Sequence, residues 1–311
     1  MSSPPKPRPI LVTGSHRSGS TWLGQMIAAS DSVGYIHEPF NIDRGPGMCR
    51  TRFPYWFTYI RPGTDGAVAD DFRRLLDFRY NYLAQALTVR SRRDARVLVR
   101  DGGHFMRYRR RHVRPLVKDP MALFSAEWIA DTFDAQVVVV VRHPAAFASS
   151  LKLDGWTHPF SHFLNQPALI EDYLSPFQDE IAAFAREERD ILDQAALLWR
   201  LVHHTIAEYR SRHPEWRIVR HEDLSLDPIG GFGTIFEALD LSYTDAVQEA
   251  IMRSTSSSNP ADRDVTGRRF LTRDSRANID NWRRRLTRPE VERVRAGVAD
   301  VSPLFYSDED W

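Results

Sequence analysis

ILVTGSHRSGSTW, at residues 10–22, is the most informative segment of the chain. Its first four residues predict a buried strand, and from Ser20 onward apolar side chains recur at helical spacing. The small-residue loop between them, from Gly14 to Gly19, completes half of a βαβ unit. Its backbone N–H groups and the positive end of the helix dipole are typical of a phosphate or sulfate site, over which Arg17 can reach. A tight turn that binds nothing is the alternative.

The two glycines have the spacing of a nucleotide-binding P-loop, but the rest of that pattern is missing. A kinase or GTPase has lysine after the second glycine, where this chain has Ser20. Such enzymes also have an acidic metal ligand at the end of a later strand, where this chain has Arg142. Both differences disfavour a nucleotide-dependent kinase, which we keep as the alternative enzyme.

A second motif follows the valine run at residues 137–141, which predicts a central parallel strand buried on both faces. Arg142 stands at the carboxyl end of this strand, where ligands bind in open α/β sheets. Pro144 favours a helix start, and Ser150 lies about two helical turns beyond Arg142 on the same side. The two side chains can hold a second phosphate by charge-assisted hydrogen bonds. A surface arginine and a helix-capping serine are the alternative.

Strands and helices alternate along the rest of the chain. Further strands are expected at residues 33–36, 96–99, 116–118 and 216–220. Helices are expected at 72–89, 122–133, 179–212, 227–239, 245–252 and 289–298, loops at 41–66 and 154–176, and a polar, flexible stretch at 254–269. This alternation predicts an α/β, P-loop-like three-layer fold with a central parallel sheet flanked by helices. Residues 1–9 are expected to form a disordered leader, and residues 10–311 a single domain.

The composition is that of a globular chain and disfavours several classes of protein. Of its 311 residues, 42 % are hydrophobic, and the formal net charge of +1 argues against nucleic-acid binding driven by bulk charge. Cys49 is the only cysteine, which fits a reducing compartment. No signal-type segment or membrane-length apolar run occurs, so we expect a soluble, cytoplasmic protein without membrane insertion. Only three of the 42 basic residues are lysine, a bias typical of GC-rich bacterial genomes.

The two motifs together resemble the sulfotransferase family that uses 3′-phosphoadenosine 5′-phosphosulfate (PAPS). The loop is similar to the family's 5′-phosphosulfate loop, Arg/Lys-Ser-Gly-Ser/Thr-Thr-Trp, and Arg142 with Ser150 is similar to its 3′-phosphate motif. Lys118-Asp119-Pro120 resembles a Lys-x-Pro element of carbohydrate sulfotransferases, and residues 220–224 resemble the family's Tyr-Glu-Asp-Leu strand end. The resemblance covers roughly residues 10–290.

Within the family, Arg17 and the later pair Glu38-Pro39 resemble the carbohydrate branch, because the branch acting on phenols and steroids usually has lysine at the first position. The phenol and steroid branch also has an Arg-Lys-Gly segment before Gly-Asp-Trp, where this chain has residues 274–277 and 280–282. This departure leaves Arg276 as the basic residue that the resemblance implies as an additional 3′-phosphate ligand.

The resemblance implies that the chain transfers a sulfuryl group from PAPS to an acceptor hydroxyl by in-line displacement, releasing 3′-phosphoadenosine 5′-phosphate (PAP). The donor-binding residues that it implies are Arg17, Ser18, Gly19, Ser20, Thr21, Trp22, Arg142, Ser150 and Arg276. Arg17 is expected to stabilise charge on the leaving phosphate. Trp22 is interpreted equally well as an adenine contact or as an ordinary core tryptophan.

Glu38 is the implied catalytic base, and Lys118 is implied to steady the transferring group. A carboxylate is an adequate base when it is partly desolvated. His37 and His104 are the alternative bases. The alternative is that both residues are structural. Glu38 would then be a turn glutamate bound to an arginine, and Lys118 would form an ion pair with Asp119 or Glu127.

Aromatic residues at 53–59 and 156–163 are candidates for the acceptor pocket, although a packed lid or a dimer contact explains them equally well. The candidate acceptor-binding residues are Glu38, His37, Phe40, Trp56, His104 and Trp156. The expected acceptor is a saccharide, or else a glycosylated or small natural product. No metal is expected, because protein cations can neutralise the donor and the histidines lack zinc-type spacing. A non-catalytic nucleotide-binding protein is the alternative outside enzymes, and the oligomeric state is left open.

Overall fold

A computed structural model describes residues 7–262 and 272–311 of the chain. Residues 1–6 of the expected leader and 263–269 of the expected flexible stretch lie outside the described residues. The division into a leader and a single domain stays a prediction. None of the helices in the described ranges combines the length and the apolar content that a membrane span requires.

Within the part of the chain that the structure describes, five parallel strands form one sheet in the order β2-β3-β1-β4-β5. The strands are β1 Ile10–Gly14, β2 Val33–His37, β3 Arg114–Lys118, β4 Gln136–Val141 and β5 Arg217–Arg220. Val12 is in register with Lys118 on one side and with Val138 on the other. Because all strands are parallel, their carboxyl ends meet at one edge of the sheet, and the loops that follow them meet there too.

Helices cover both faces of this sheet. They are α1 Ser20–Ile27, α2 Ala67–Leu76, α3 Tyr82–Ala86, α4 Arg92–Arg111, α5 Ala126–Phe133, α6 Pro144–Asp154, α7 Ser161–Leu164, α8 Pro167–Leu169, α9 Gln178–Arg186, α10 Ile191–Arg212, α11 His221–Leu226, α12 Pro228–Ala238, α13 Asp245–Thr255, α14 Ser275–Ile279, α15 Asn281–Arg285 and α16 Arg288–Gly297. Short non-α turns occur at Pro120–Ser125, Ile170–Leu174, Ser175–Phe177, Ser302–Leu304 and Asp308–Asp310.

Alternate residues of the central strands face opposite layers, as the pleat requires. Leu11 and Val139 belong to the larger apolar cluster, which includes Trp128 and Trp199, whereas Val138 belongs to the smaller one. The smaller cluster is completed by side chains of α1, α12 and α13. The sequence prediction of a three-layer α/β fold with a parallel sheet between helices is confirmed.

The strand expected at residues 96–99 is wrong, because this segment lies inside α4. Ser91 begins that helix with a capping box: its hydroxyl accepts the Asp94 N–H at 3.2 Å, and the Asp94 carboxylate accepts the Ser91 N–H at 2.9 Å. Leu98 packs against the larger apolar cluster while Val99 is exposed. The short apolar run therefore serves one face of a helix and does not form a strand.

The long helices expected at 72–89 and 179–212 are each interrupted. In the first, Phe78 takes the left-handed conformation, with φ 52°, and a new helix starts at Tyr82. In the second, α10 starts afresh because the Asp190 carboxylate accepts the Leu192 N–H at 2.9 Å. The stretch expected to be a loop at 154–176 contains α7, α8 and a π-helical turn.

Candidate functional site

The loop between β1 and α1 requires glycine at two positions. Gly14 has φ 138° and Gly19 has φ 96°. A β-carbon on Gly14 would lie 2.2 Å from the Val140 carbonyl oxygen, and one on Gly19 would lie 2.4 Å from Cδ2 of His221. The loop is therefore pressed against β4 and against the start of α11, with the unpaired first N–H groups of α1 directly behind it.

Arg17 lies in this loop in the left-handed conformation, with φ 63°. Its Nε donates to Ser150 Oγ at 2.9 Å, and its NH2 lies 3.1 Å from Asp154 Oδ2. Arg142 in turn donates from NH1 to the Arg17 carbonyl oxygen at 2.7 Å. The structure thus brings the residues of the two sequence motifs, the loop and the end of β4, into direct contact.

Arg142 is held at the carboxyl end of β4 by buried contacts. Its carbonyl oxygen accepts the indole N–H of Trp199 at 2.9 Å. Burial lowers the pKa of the Arg142 guanidinium to about 10, against the opposing attraction of Glu222, so the group is still charged at neutral pH. Its Nε is buried and has no hydrogen-bond partner among the residues that the structure describes. A buried cation with an unused donor is suited to an anionic ligand.

Lys118, the last residue of β3, forms an ion pair with Glu38, the residue after β2, through Nζ and Oε1. The lysine side chain is 0 % exposed and the glutamate side chain 20 % exposed. The Glu38 N–H donates to the Lys118 carbonyl oxygen at 2.8 Å, which continues the pairing of the two strands. Asn41 donates from Nδ2 to the second carboxylate oxygen at 3.1 Å. The pairing of adjacent parallel strands therefore sets the position of this ion pair.

The other carboxylates near Lys118 have different partners. The Asp119 carboxylate accepts the backbone N–H groups of Phe40 at 2.6 Å and Met121 at 2.8 Å. Glu127 pairs with Arg212 at 3.0 Å, across the larger apolar cluster from the loop. Burial, reinforced by the negative charge of Glu38, raises the pKa of Asp119 to about 7. Lys118 is therefore paired with Glu38 and not with Asp119 or Glu127.

The protonation states of this cluster follow from burial and mutual charge. Burial alone would raise the pKa of Glu38, but the Lys118 ammonium, together with His37 and the Asn41 hydrogen bond, outweighs it and holds that pKa at about 2. Burial lowers the pKa of Lys118, against the attraction of Glu38. Burial and the Lys118 charge together lower the pKa of His37 to about 3. At neutral pH the site therefore holds a carboxylate, an ammonium and a neutral imidazole side by side.

A cavity of about 450 Å³ opens between the loop and these residues. The predicted site residues that line it are Arg17, Gly19, Ser20, Thr21, Trp22, His37, Glu38, Arg142 and Trp156. Three further ones lie directly behind the wall: Ser18 is buried within the loop, Ser150 is bonded to Arg17, and Lys118 is bonded to Glu38. Trp22 was interpreted as either an adenine contact or a core tryptophan. Its position is compatible with both, since it lines the cavity and also packs edge-on against Phe232 in the smaller apolar cluster.

Four predicted residues are not brought to the cavity. Arg276 is exposed and donates to the Leu226 carbonyl oxygen at 2.9 Å. Phe40 is fully buried and stacks on Phe53 with 4.0 Å between ring centroids. The side chains of Trp56 and His104 do not line the cavity either.

Helix periodicity and backbone anchoring explain these placements. On α14, Ser275 and Asn278 face inward, three residues apart, which turns the intervening Arg276 outward. On α4, Phe105 occupies the core-facing position, so its neighbour His104 is exposed. The Trp56 N–H donates to Nδ1 of His162 at 3.0 Å, and its ring packs against the larger apolar cluster.

Several cavity residues were not predicted. They are His16, Gln25, Pro120, His221, Ser225, Ser254, Thr255, Arg273, Ser275 and Asn278. Arg273 stands three residues before the predicted Arg276, and its charge acts on Arg142. The only sequence signal for it was the basic residue cluster at 268–276, in which spacing alone cannot identify the inward-facing member.

Aromatic rings form the wall on the side of Glu38. His16 contacts Trp156 and Phe147 edge-on, with centroids 5.1 and 5.3 Å apart. Burial lowers the pKa of His16 to about 3, so its imidazole is neutral. Trp156 is 44 % exposed and stands at the rim. Across the described ranges, no group of three or more His, Cys, Asp or Glu side chains could hold a metal ion.

Comparison with known proteins identifies a family. Residues 9–245 match the sequence profile of the sulfotransferase family, which is well over half of the chain. A search of curated proteins finds none that matches.

Solved structures with similar folds are sulfotransferases as well. The sulfotransferase domain from the curacin biosynthetic pathway has a TM-score of 0.49 and 14 % identity, over 94 % of this chain and 98 % of that one. The sulfotransferase domain of the Synechococcus PCC 7002 olefin synthase has a TM-score of 0.49 and 18 % identity, over 99 % and 98 %. A mouse sulfotransferase complexed with PAP has a TM-score of 0.42 and 13 % identity, over 99 % and 87 %.

Proposed function

The chain belongs to the sulfotransferase family, and from this we propose that it transfers the sulfuryl group of PAPS to an acceptor hydroxyl. One observation supports this proposal above the others. One cavity at the carboxyl edge of the sheet connects two groups of residues. On one side are the loop with Arg17 and the nearby Arg142, and on the other is Glu38 with its partner Lys118. A donor with two anionic ends and an acceptor that must lose a proton require these two halves side by side.

The donor end of the cavity fits PAPS. Gly19 and the first residues of α1, Ser20 and Thr21, line the cavity, and the first N–H groups of a helix favour an anion. We propose that this surface and Arg17 hold the 5′-phosphosulfate. Arg142, with its unused buried Nε, and Arg273 hold the 3′-phosphate. Ser150 acts through its hydrogen bond to Arg17, which it keeps in place.

The acceptor end supplies the proton chemistry. When bound, PAPS supplies an activated sulfuryl group whose bond to the bridging phosphate oxygen breaks as the acceptor oxygen bonds to sulfur. Glu38 accepts the acceptor's proton, and Lys118 lies beside it as the nearest cation. While it is fully paired, Glu38 is a weak base with a pKa of about 2. When the Lys118 ammonium also interacts with the reacting oxygens, its attraction to the Glu38 carboxylate weakens. The pKa of Glu38 then rises, which makes it a stronger base.

The acceptor that we propose is a saccharide, with a glycosylated or small natural product as the second choice. The loop arginine, Glu38-Pro39 and Lys118-Asp119-Pro120 support it by their resemblance to the carbohydrate branch. Trp156 at the cavity rim offers the exposed aromatic face on which a sugar ring stacks. A bacterial source and a cytoplasmic location are inferred from the arginine bias and the single cysteine.

A transfer assay with radiolabelled PAPS and a panel of saccharide and phenolic acceptors tests this function. We expect label in an acceptor with the wild type and a loss of about a hundredfold or more in kcat with Glu38→Gln. Glu237→Gln, which changes an exposed glutamate on α12, is the matched control. Undiminished transfer by Glu38→Gln would refute the base assignment. Phosphoryl transfer from ATP in place of sulfuryl transfer would restore the kinase alternative.

A further inference from the structure

The hairpin of α3 and α4 concentrates positive charge. Residues 90–111 hold nine arginines against two aspartates, in a chain whose net charge is only +1. Within the described residues, two of these arginines form ion pairs, Arg100 with Asp101 at 2.7 Å and Arg111 with Asp31 at 3.7 Å. The other seven project from the surface without a carboxylate partner in the described ranges, so their charge is available to a partner.

The same hairpin exposes large apolar side chains. Val99 and Met106, seven residues apart on α4, are 74 % and 44 % exposed. Leu83 and Leu87, at the start and just beyond the end of α3, are 74 % and 80 % exposed. Two helical turns separate the α4 pair and one turn separates the α3 pair, so each pair lies on one outward face.

The two helices present these side chains on one surface. The Tyr82 hydroxyl donates to the Gly102 carbonyl oxygen at 2.8 Å, which fixes α3 beside the turn of α4 between Val99 and Met106. Phe105, which is about 100° around α4 from Met106, is buried. The outward face of α4 therefore alternates apolar tips with arginines, and Arg96, Arg107 and Arg110 lie within a turn of those tips.

We propose that this hairpin surface, formed by residues 82–87 and 90–111, docks the protein on an anionic lipid bilayer. Basic side chains attract anionic headgroups, and their long stems let the charge stay at headgroup level while apolar neighbours reach below it. A convex surface with apolar tips among arginines has the character of an interfacial helix. A nucleic acid would satisfy the arginines but would leave Leu83, Leu87 and Val99 exposed. This inference does not depend on the proposed sulfuryl transfer.

Vesicle sedimentation tests the docking. The full chain is mixed with vesicles of phosphatidylcholine alone, or with about one-third phosphatidylglycerol, at low and at physiological salt. One variant combines Arg96→Gln, Arg107→Gln and Arg110→Gln, and a second combines Val99→Ser with Met106→Ser. The matched control combines Arg189→Gln, Arg253→Gln and Arg288→Gln, which removes the same charge from exposed sites elsewhere. Circular dichroism and thermal unfolding, which the hairpin variants should leave unchanged, verify folding.

We expect binding to the phosphatidylglycerol vesicles alone, weakened on the order of a hundredfold by the arginine variant and about tenfold by the apolar variant. The control variant should bind nearly as well as the wild type. Absence of binding to anionic vesicles would overturn the proposal. Binding that the apolar variant leaves unchanged would overturn it in favour of a purely electrostatic polyanion site. A dimer in solution that the apolar variant dissociates would show that a second copy covers this surface.

Discussion

Lys118 is completely buried and lies behind the cavity wall, paired with Glu38. Burial lowers its pKa, and the adjacent Glu38 carboxylate opposes this effect, so each group keeps the other charged. Removing one partner of such a pair leaves an uncompensated buried charge, which costs far more than the pair contributes. Removal of the Lys118 ammonium should therefore change the pKa of Glu38.

Lys118→Met should shift the pH dependence of activity. Without the ammonium, burial of Glu38 is opposed only by weaker effects such as the Asn41 hydrogen bond, so its pKa rises from about 2 and the carboxylate forms only at higher pH. We expect the acid limb of the pH–rate profile to move upward by about two pH units or more, with a lower kcat. Lys152→Met is the control, because Lys152 pairs with Glu290 on the surface. If the acid limb lies at the same pH in Lys118→Met and Lys152→Met, Lys118 does not lower the pKa of Glu38.

Gly19→Ala should disrupt the loop. The new β-carbon would meet His221 at 2.4 Å, in a backbone conformation with φ 96° that side chains disfavour. We expect a loss of about tenfold or more in PAP affinity and a stability loss of about 1–2 kcal/mol. Gly63→Ala separates strain from contact, because Gly63 has φ 80° with nothing within 4 Å of its β-carbon position. Equal effects on PAP affinity in the two variants would contradict the close fit of the loop.

At the scale of the element, short sequence patterns correctly predicted those strands and helices that depend on neighbouring residues alone. The β1 run, the glycines and the valines of β4 specify a strand–loop–helix unit and a buried central strand by themselves. The expected strand at 96–99 failed because a cap at Ser91, several residues upstream, commits the whole segment to α4. Arg276 was misplaced because the inward face of α14 depends on the tertiary contact of Ser275 with the Ser225 carbonyl oxygen at 2.9 Å.

Ser91→Ala tests the cap of α4. The variant loses the hydrogen bond to the Asp94 N–H and half of the capping box. We expect a decrease of about 1 kcal/mol in the free energy of unfolding, measured by urea denaturation. Ser211→Ala, at an exposed position near the end of α10, should change stability little. A Ser91→Ala protein as stable as the control would show that the cap does not hold the helix.

At the scale of the molecule, the parallel sheet assembles a site from distant parts of the chain. Arg17, Glu38, Lys118 and Arg142 follow or end four neighbouring strands, and the strand order places the proposed donor and acceptor halves next to each other. The family resemblance implied that these residues share one site, but it could not predict the ion pair of Lys118 with Glu38. That pairing depends on β2 and β3 being adjacent, and no short-range pattern reports strand order.

Buried neutral histidines should make the whole molecule sensitive to mild acid. Burial holds the pKa of His16, His143 and His203 at about 3, below the unfolded value of 6.5. The unfolded chain binds more protons, so stability is complete above about pH 6.5 and falls toward pH 3. Asp119, whose pKa is raised to about 7, offsets part of this loss, because it becomes protonated in the folded chain first.

We expect urea unfolding at about pH 5.5 to show less stability than at about pH 7.5, because each of these histidines contributes a loss of about 1.4 kcal/mol over this interval. His203→Gln should reduce the difference by about 1.4 kcal/mol, since one buried imidazole no longer titrates. His112→Asn, which replaces an exposed imidazole at the end of α4, should leave the difference unchanged. Stability that is equal at both pH values would contradict neutral burial of these side chains.

Binding of PAP tests the central claim most directly. Calorimetric titrations with PAP, ATP and AMP are compared for the wild type and for Arg142→Ala, which removes the cation proposed for the 3′-phosphate. Arg220→Ala, at the last residue of β5 and paired with Asp310, is the control. We predict tight binding of PAP alone and a loss of about a hundredfold in Arg142→Ala but not in the control. Equal or tighter binding of ATP, or PAP binding unchanged in Arg142→Ala, would contradict the proposed donor site.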